Sequence, residues 1–333
     1  VRPLPPGQDV ESHWAGLSFL RFVLSFSVLL SHIDDNLPEF HNWFFGVGGV
    51  SCVAGFFLIS GFSIAHSITL KPQGYLKRRL LRIYPLSITA VIVGVSLVKL
   101  AGGPHYTGMA RFETPPTIYV LSELLLINSI VTRVPPVLVT LWSLDCEVIY
   151  YVLAPLLRRL NTLVLALLAL GSAGFYLWYT PRYGLWFGLY GLPALAMLWV
   201  WLLGFIIYRR RLDIGVFALV AISGTYVLWP LEKPPLSALV LGFVVPLLAI
   251  AYFGKIAMPA RWIPAANYLG EISYPLYLFH FPVISIVYHW FPDHDPYHVG
   301  LLIDLTVPML MAIAAYHLID VPIRKRRFHP QPL

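Results

Sequence analysis

The stretch RFVLSFSVLLSH, residues 21 to 32, is an apolar run with Arg21 at one end and His32 at the other. Eleven positions at 3.6 residues per turn make about three turns, so in a helix the two share a face with a rise of ~16 Å between them. An ionisable group in an apolar spanning segment costs about 3 kcal/mol or more, which is offset when it faces a wet cavity or a partner. Chemically, a neutral imidazole can take a proton from a hydroxyl, and a guanidinium can orient a carboxylate or an amide. Taken singly, either residue also reads as a helix-end anchor.

Three further clusters could do chemistry. LWSLDCEVIYYVLAPLL (residues 141 to 157) places Ser143 one turn before Glu147, with Tyr150 and Tyr151 one turn after it. A buried carboxylate needs partners, and Arg21 or His32 is the expected one; a second acid/base role is the alternative. Ser273, Tyr277 and His280 form a polar strip at one-turn steps, which fits a packing network as well as acceptor binding. KRRLLR sets Lys77, Arg78, Arg79 and Arg82 close together, and guanidinium forks match phosphate oxygens bidentately. If helical, Arg79 and Arg82 lie on one face; topology and attraction to anionic lipid explain such a cluster equally well. Ser60–Gly61 is a small pair whose default use is close helix approach.

The elements that must carry these residues follow from composition. Of 333 residues, 58% are hydrophobic and 12% charged, and mean hydropathy is +0.73, which exclude an ordinary soluble domain. We expect an all-α integral membrane protein with about ten spans of about 20 residues each. They run roughly over Trp14–Ile33, Gly46–Ile68, Ile83–Leu100, Leu138–Leu157, Thr162–Tyr179, Leu185–Tyr208, Asp213–Trp229, Leu236–Phe253, Tyr268–Phe291 and Val299–Ile319. Thr117–Val131 contains Glu123 and is too short to span comfortably, so it reads as a re-entrant or interfacial helix. Residues 1–13, rich in proline and without signal-peptide character, read as a short disordered lead-in, and 328–333 as a cytoplasmic tail.

With ten spans, sixteen Lys and Arg residues fall on one side and five on the other, which predicts both termini in the cytoplasm. The net charge of +7 therefore reports topology, and nucleic-acid binding is not expected. Cys52 and Cys146, both in apolar runs, are expected to be core filler. No metal site is expected.

In this order the motifs resemble the acyltransferase-3 family of membrane proteins. The resemblance covers the whole chain: Arg21 and His32 with ten residues between them, FFLISGF (56–62), Arg79-x-x-Arg82 in YLKRRLLRIYP, Trp142-Ser143-Leu144-x-x-Glu147, GEISYPLYLFHFPV (270–283) and YHLIDVPIRKR (316–326). Two positions depart from the pattern. Val148 stands where many members have a second acidic residue, with Asp145 before Glu147 instead, and Asp320 stands where Glu is usual.

The resemblance implies that residues 14–327 form a transmembrane acyltransferase domain in a plasma (inner) membrane. Such a domain moves an acyl group, usually acetyl, from acyl-CoA to a hydroxyl of a sugar, glycan or other small acceptor. Some relatives carry an additional extracytoplasmic esterase-like domain; without one in these residues, the chemistry is expected within the bundle. Lys77, Arg78, Arg79 and Arg82 would hold the phosphates of acetyl-CoA. An extended pantetheine arm of roughly 15–20 Å would then reach His32 along the ~16 Å rise from Arg21. His32 would be the base, Arg21 and Glu147 its catalytic companions, and Ser143, Tyr150, Tyr151, Tyr277 and His280 would contact substrate. Independently of the resemblance, Asp34 and Asp35 lie just beyond His32 and could orient its ring, but an exposed solvated pair is the favoured reading. The rival reading is a transporter or flippase of an amphiphilic substrate, since carriers also use intramembrane Arg, His and Glu. No duplicated pair of interrupted helices supports it.

Overall fold

The computed structural model describes residues 9–34, 49–102, 105–107, 110–185, 189–210, 212–232, 234–255, 257–291 and 299–328. The side chains of Asp34 and Asp35, and most of the proposed lead-in and tail, lie outside the described residues. The helix that carries Arg21 and His32, α1 (Asp9–Asp34), already includes residues 9–13.

The long helices that follow are α2 (Gly49–Leu70), α3 (Tyr75–Leu100), α6 (Trp142–Leu157), α7 (Thr162–Tyr183), α8 (Leu192–Arg209), α9 (Ile214–Glu232), α12 (Ile263–Trp290) and α13 (Val299–Ala315). Between α3 and α6 lie the antiparallel pair β1 (His105–Thr107) and β2 (Ala110–Phe112), and the short helices α4 (Thr117–Leu124) and α5 (Asn128–Val131). A 3-10 turn over Pro136–Leu141 leads into α6. A π-turn, Val240–Val244, joins α10 (Leu236–Leu239) to α11 (Val245–Ala251), and a second, Tyr316–Asp320, joins α13 to α14 (Val321–Phe328).

Seven helices among the described residues are long and apolar enough to cross a membrane. Ile214–Pro230 and Leu236–Ala251 are apolar but shorter, and α12 has length but carries Glu271, Pro275 and Pro282. These three account for the difference from the ten expected spans. The segment expected to be one helix over 117–131 is broken: Leu126 has a positive φ of 54°, and neither α4 nor α5 is long enough to span.

Packing centres on two helix pairs, α1 with α12 and α2 with α8. The second pair is set by glycine. A Cβ on Gly61 would collide with the Trp201 carbonyl of α8, and one on Gly204 with the Leu58 carbonyl of α2, so the two backbones touch where side chains are missing. Gly270 does the same for α12 against Ser18 of α1. This close packing holds α1, α2 and α12 around a shared space, which α3 and α6 close.

Candidate active site

That space is a cavity of about 540 Å³. Its cationic lining is Arg21, Lys71, Arg78, Arg79, Arg82 and Arg324, against the two carboxylates Glu147 and Glu271. Six cations against two anions suit a polyanionic ligand. The walls between them are apolar and small-polar: Phe56, Phe57, Ser60, Ser63 and Ile64 from α2, and Tyr274 and Tyr277 from α12.

The structure brings Arg79 and Arg82 together with Arg78 because α3 begins immediately after Gly74, whose φ of 63° turns the chain into the helix. Residues 78, 79 and 82 then occupy one broad face at 100° per residue, and all three line the cavity. Lys77 falls about 100° off that face on the other side. It lines a separate cleft, so the structure does not place it with the other three. Arg78 is partly spent on the backbone, donating to the carbonyls of Lys71 and Gln73.

Glu147 sits in the cavity wall. Ser60 Oγ donates to its Oε1 at 2.8 Å and Tyr151 OH donates to the same oxygen at 2.6 Å. Trp201 Nε1 in turn donates to Ser60 at 3.3 Å. The carboxylate thus rests on two hydroxyls, whereas the expected partners were Arg21 or His32. Arg21 lines the same cavity and donates to Ser18 Oγ at 3.2 Å, while its Nε is buried without a partner. Tyr151 is one turn beyond Glu147 on the cavity face. Tyr150 is turned 100° away and donates instead to the Ala194 carbonyl at 2.7 Å, packed on Trp201 and Phe57; it does not reach the cavity.

The wall also carries a polar pair. Ser143 Oγ and Tyr277 OH lie 2.7 Å apart, and Tyr277 also donates to the Thr140 carbonyl at 3.1 Å. Both line the cavity. Behind Tyr277, at 6.0 Å between ring centroids, is His280, fully buried. Its Nδ1 is 3.0 Å from the Leu276 carbonyl, which can only accept, so Nδ1 carries the proton and Nε2 is a bare, buried lone pair without a partner. His32 stacks on His280 with centroids 5.3 Å apart and meets the Phe281 ring edge-on at 4.7 Å. His32 is therefore not part of the cavity lining and meets it through His280 and Tyr277.

Several cavity residues escaped the sequence reading. His66 lines the cavity between Trp14 (4.9 Å) and Tyr208 (5.6 Å). Its signal was present in the spacing of Ser60, Ser63 and Ser67, a polar stripe on an otherwise apolar helix. Glu271 and Arg324 are paired at the cavity wall, and Arg324 also bridges Asp320 one turn earlier. Glu271 comes from α12 and Arg324 from α14, so only the fold reveals the pair.

Asp145 does not share the site of Glu147. Two residues apart on a helix is 200° of rotation, and Asp145 points away, accepting from the Ser129 backbone N–H at 3.0 Å. There it joins a second buried cluster in which Asn128 donates to Glu123 and Thr132 donates to Asn128 at 3.0 Å. Asp145 therefore does not stand in beside Glu147 for the acidic residue that Val148 replaces. Among the described residues no group of three or more His, Cys, Asp or Glu side chains is placed to hold a metal ion.

The comparisons with known proteins bear on this arrangement. A "Putative O-acetyltransferase" of Staphylococcus aureus (strain COL) is 31% identical over 90 residues, which is 25% of this chain and 15% of that protein. Nodulation protein 10 of Rhizobium leguminosarum bv. viciae is 28% identical over 196 residues, 50% of this chain and 52% of its own length. The chain thus matches about a seventh of the first relative and about half of the second. No solved structure matches it significantly. The family described as "Acyltransferase domain" matches residues 14–317, nearly the whole membrane bundle, and the chain belongs to that acyltransferase family, known as acyltransferase-3.

Proposed function

We propose that this protein is a membrane O-acyltransferase that moves an acyl group, most simply acetyl, from cytoplasmic acyl-CoA to a hydroxyl of a sugar, glycan or small acceptor. The observation that carries the reading is the make-up of the cavity wall: three arginines of α3 together with the Ser143–Tyr277 pair, which is backed by His280 and His32. A CoA molecule likewise combines phosphates at one end with a thioester at the other. Arg79 and Arg82 hold phosphate, the pantetheine arm follows Phe56, Phe57 and Tyr274, and Arg21 with Glu147 orients its amides. His32 removes the proton from the acceptor hydroxyl as that oxygen attacks the thioester carbon; the CoA thiolate leaves and takes up a proton. For donor and base to meet, the Ser143–Tyr277 pair has to part, so it acts as the partition between donor and acceptor sides.

The bundle is read with ten spans and both termini in the cytoplasm, which puts the α3 arginines on the side where acyl-CoA is made. A plasma (inner) membrane is the proposed location.

Purified protein with labelled acetyl-CoA and fractionated hydroxyl acceptors provides the test. His32→Ala is expected to reduce transfer by about 10² or more, as loss of a general base does, with acetyl-CoA binding retained. Near-normal turnover removes His32 as the base. Arg79→Ala with Arg82→Ala is expected to weaken acetyl-CoA binding about tenfold or more, and a thioester analogue lacking the 3′-phosphate by less. Equal weakening of both ligands removes these arginines from the 3′-phosphate site.

A further inference from the structure

Lys77, the cation that α3 turns away from the cavity, lines a second hollow of about 400 Å³ that shares no lining residue with the first. Arg158 and Arg159, from the end of α6, line its other wall. Three cations face one cleft, and none of its lining residues is a carboxylate. Their mutual repulsion favours an anion between them.

The cleft is held by built contacts. Arg158 Nη1 donates to the Ile68 carbonyl at the end of α2, at 3.2 Å. Arg209 of α8 donates to the carbonyls of Leu157, Leu160 and Arg158, which fixes the turn that carries Arg158 and Arg159. Tyr75 lines the cleft, is 3% exposed, and has a buried hydroxyl without a partner.

The surroundings indicate what kind of anion fits. On α6, immediately before the two arginines, Val152 and Leu156 are 56% and 58% exposed, and Leu163 at the start of α7 is 69% exposed. Bare aliphatic side chains leading up to a cationic cleft describe the boundary between acyl chains and headgroups. We propose that this cleft binds the phosphate of an anionic phospholipid, whose acyl chains lie along Val152, Leu156 and Leu163. A soluble anion would use the cations and leave the apolar track empty; a lipid uses both. The site is distinct from the proposed donor site and independent of its correctness.

The test is lipid retention by the full chain, purified from nanodiscs of phosphatidylcholine and phosphatidylglycerol in equal parts and read by native mass spectrometry. The wild-type protein is expected to keep phosphatidylglycerol in preference to phosphatidylcholine. Arg158→Gln with Arg159→Gln should reduce that preference by about tenfold or more, given the worth of each cation near an anionic surface. Arg158→Lys with Arg159→Lys should retain most of it, which separates lost charge from lost fold. Lys77→Gln, on an exposed position of another helix, should give a smaller loss in the same direction. Equal retention of both lipids by the wild type, or unchanged preference in the glutamine variant, overturns the proposal. So does competition in which inorganic phosphate or coenzyme A at millimolar concentration displaces phosphatidylglycerol, since the cleft is then a site for a soluble anion.

Discussion

Glu147 shows how a single residue is set for a task. Two hydroxyls donate to one of its oxygens, so the carboxylate is fixed in place without a cation being consumed. Its charge stays available to the guanidiniums that line the same cavity and to a ligand among them. Tyr277 shows a residue held shut by modest forces: one hydroxyl–hydroxyl contact and one bond to a carbonyl, each worth about 1 kcal/mol. Tyr277→Phe keeps the ring and removes both. If this pair is the partition, acetyl-CoA hydrolysis in the absence of an acceptor is expected to rise several-fold, up to about tenfold for each 1.4 kcal/mol lost from the closed state. A coupled thiol-release assay reads it directly, and an unchanged rate means that the pair does not gate. Residue by residue, Arg21, Arg79, Arg82, Glu147, Ser143 and Tyr277 were legible as cavity candidates from type and spacing. Tyr150, Lys77, His32 and His280 lie off the lining: adjacent residues on a helix differ by 100°, and the sequence does not say where the cavity edge falls.

At the scale of elements, the bundle is organised by where side chains are missing. Gly61 and Gly204 each meet a carbonyl of the opposite helix, so α2 and α8 lie backbone to backbone. That approach brings Trp201 to Ser60 and, through Ser60, positions Glu147. Ser60–Gly61 reads from sequence as a pair for close approach with a hydroxyl to offer a neighbour; that the neighbour is Glu147 needed the fold to become visible. Gly61→Ala puts a methyl against backbone, which cannot rotate away, and overpacking of this kind costs about 1–3 kcal/mol. The expected result is a lower melting temperature in detergent together with weaker transfer, because the Ser60–Glu147 contact shifts with α2. Gly171→Ala on α7 is the control, since a Cβ there meets nothing within 4 Å. If Gly61→Ala melts with that control, the α2–α8 contact does not position the carboxylate. The broken α4–α5 segment was harder to foresee: Leu126 adopts a positive φ that a leucine rarely takes, and no glycine or proline marks the break.

For the whole molecule, the number of bilayer crossings turns on helix length. The charge asymmetry from which both termini are proposed to be cytoplasmic needs only loop positions. Span number is less legible in the sequence, because it depends on lengths near the limit. Ile214–Pro230 and Leu236–Ala251 rise about 26 and 24 Å, short of a hydrocarbon core of about 30 Å. Local thinning and snorkelling of flanking residues can absorb a mismatch of that size at a fraction of a kcal/mol per ångström. Two apolar helices joined by Pro234 and Pro235 can therefore cross as a pair, or dip in and return to the side they left. The crossing model makes a positional prediction. Single cysteines replacing Asp213, Pro235 and Lys255 in turn should react with a membrane-impermeant thiol reagent from the cytoplasmic, the opposite and again the cytoplasmic side. The native Cys52 and Cys146 are both fully buried, so they should contribute little labelling of their own. If position 235 labels only from the side of 213 and 255, the two short helices do not span. The termini would still share one side, because removing a pair of crossings leaves an even number. The cationic loops would likewise keep their side relative to the termini.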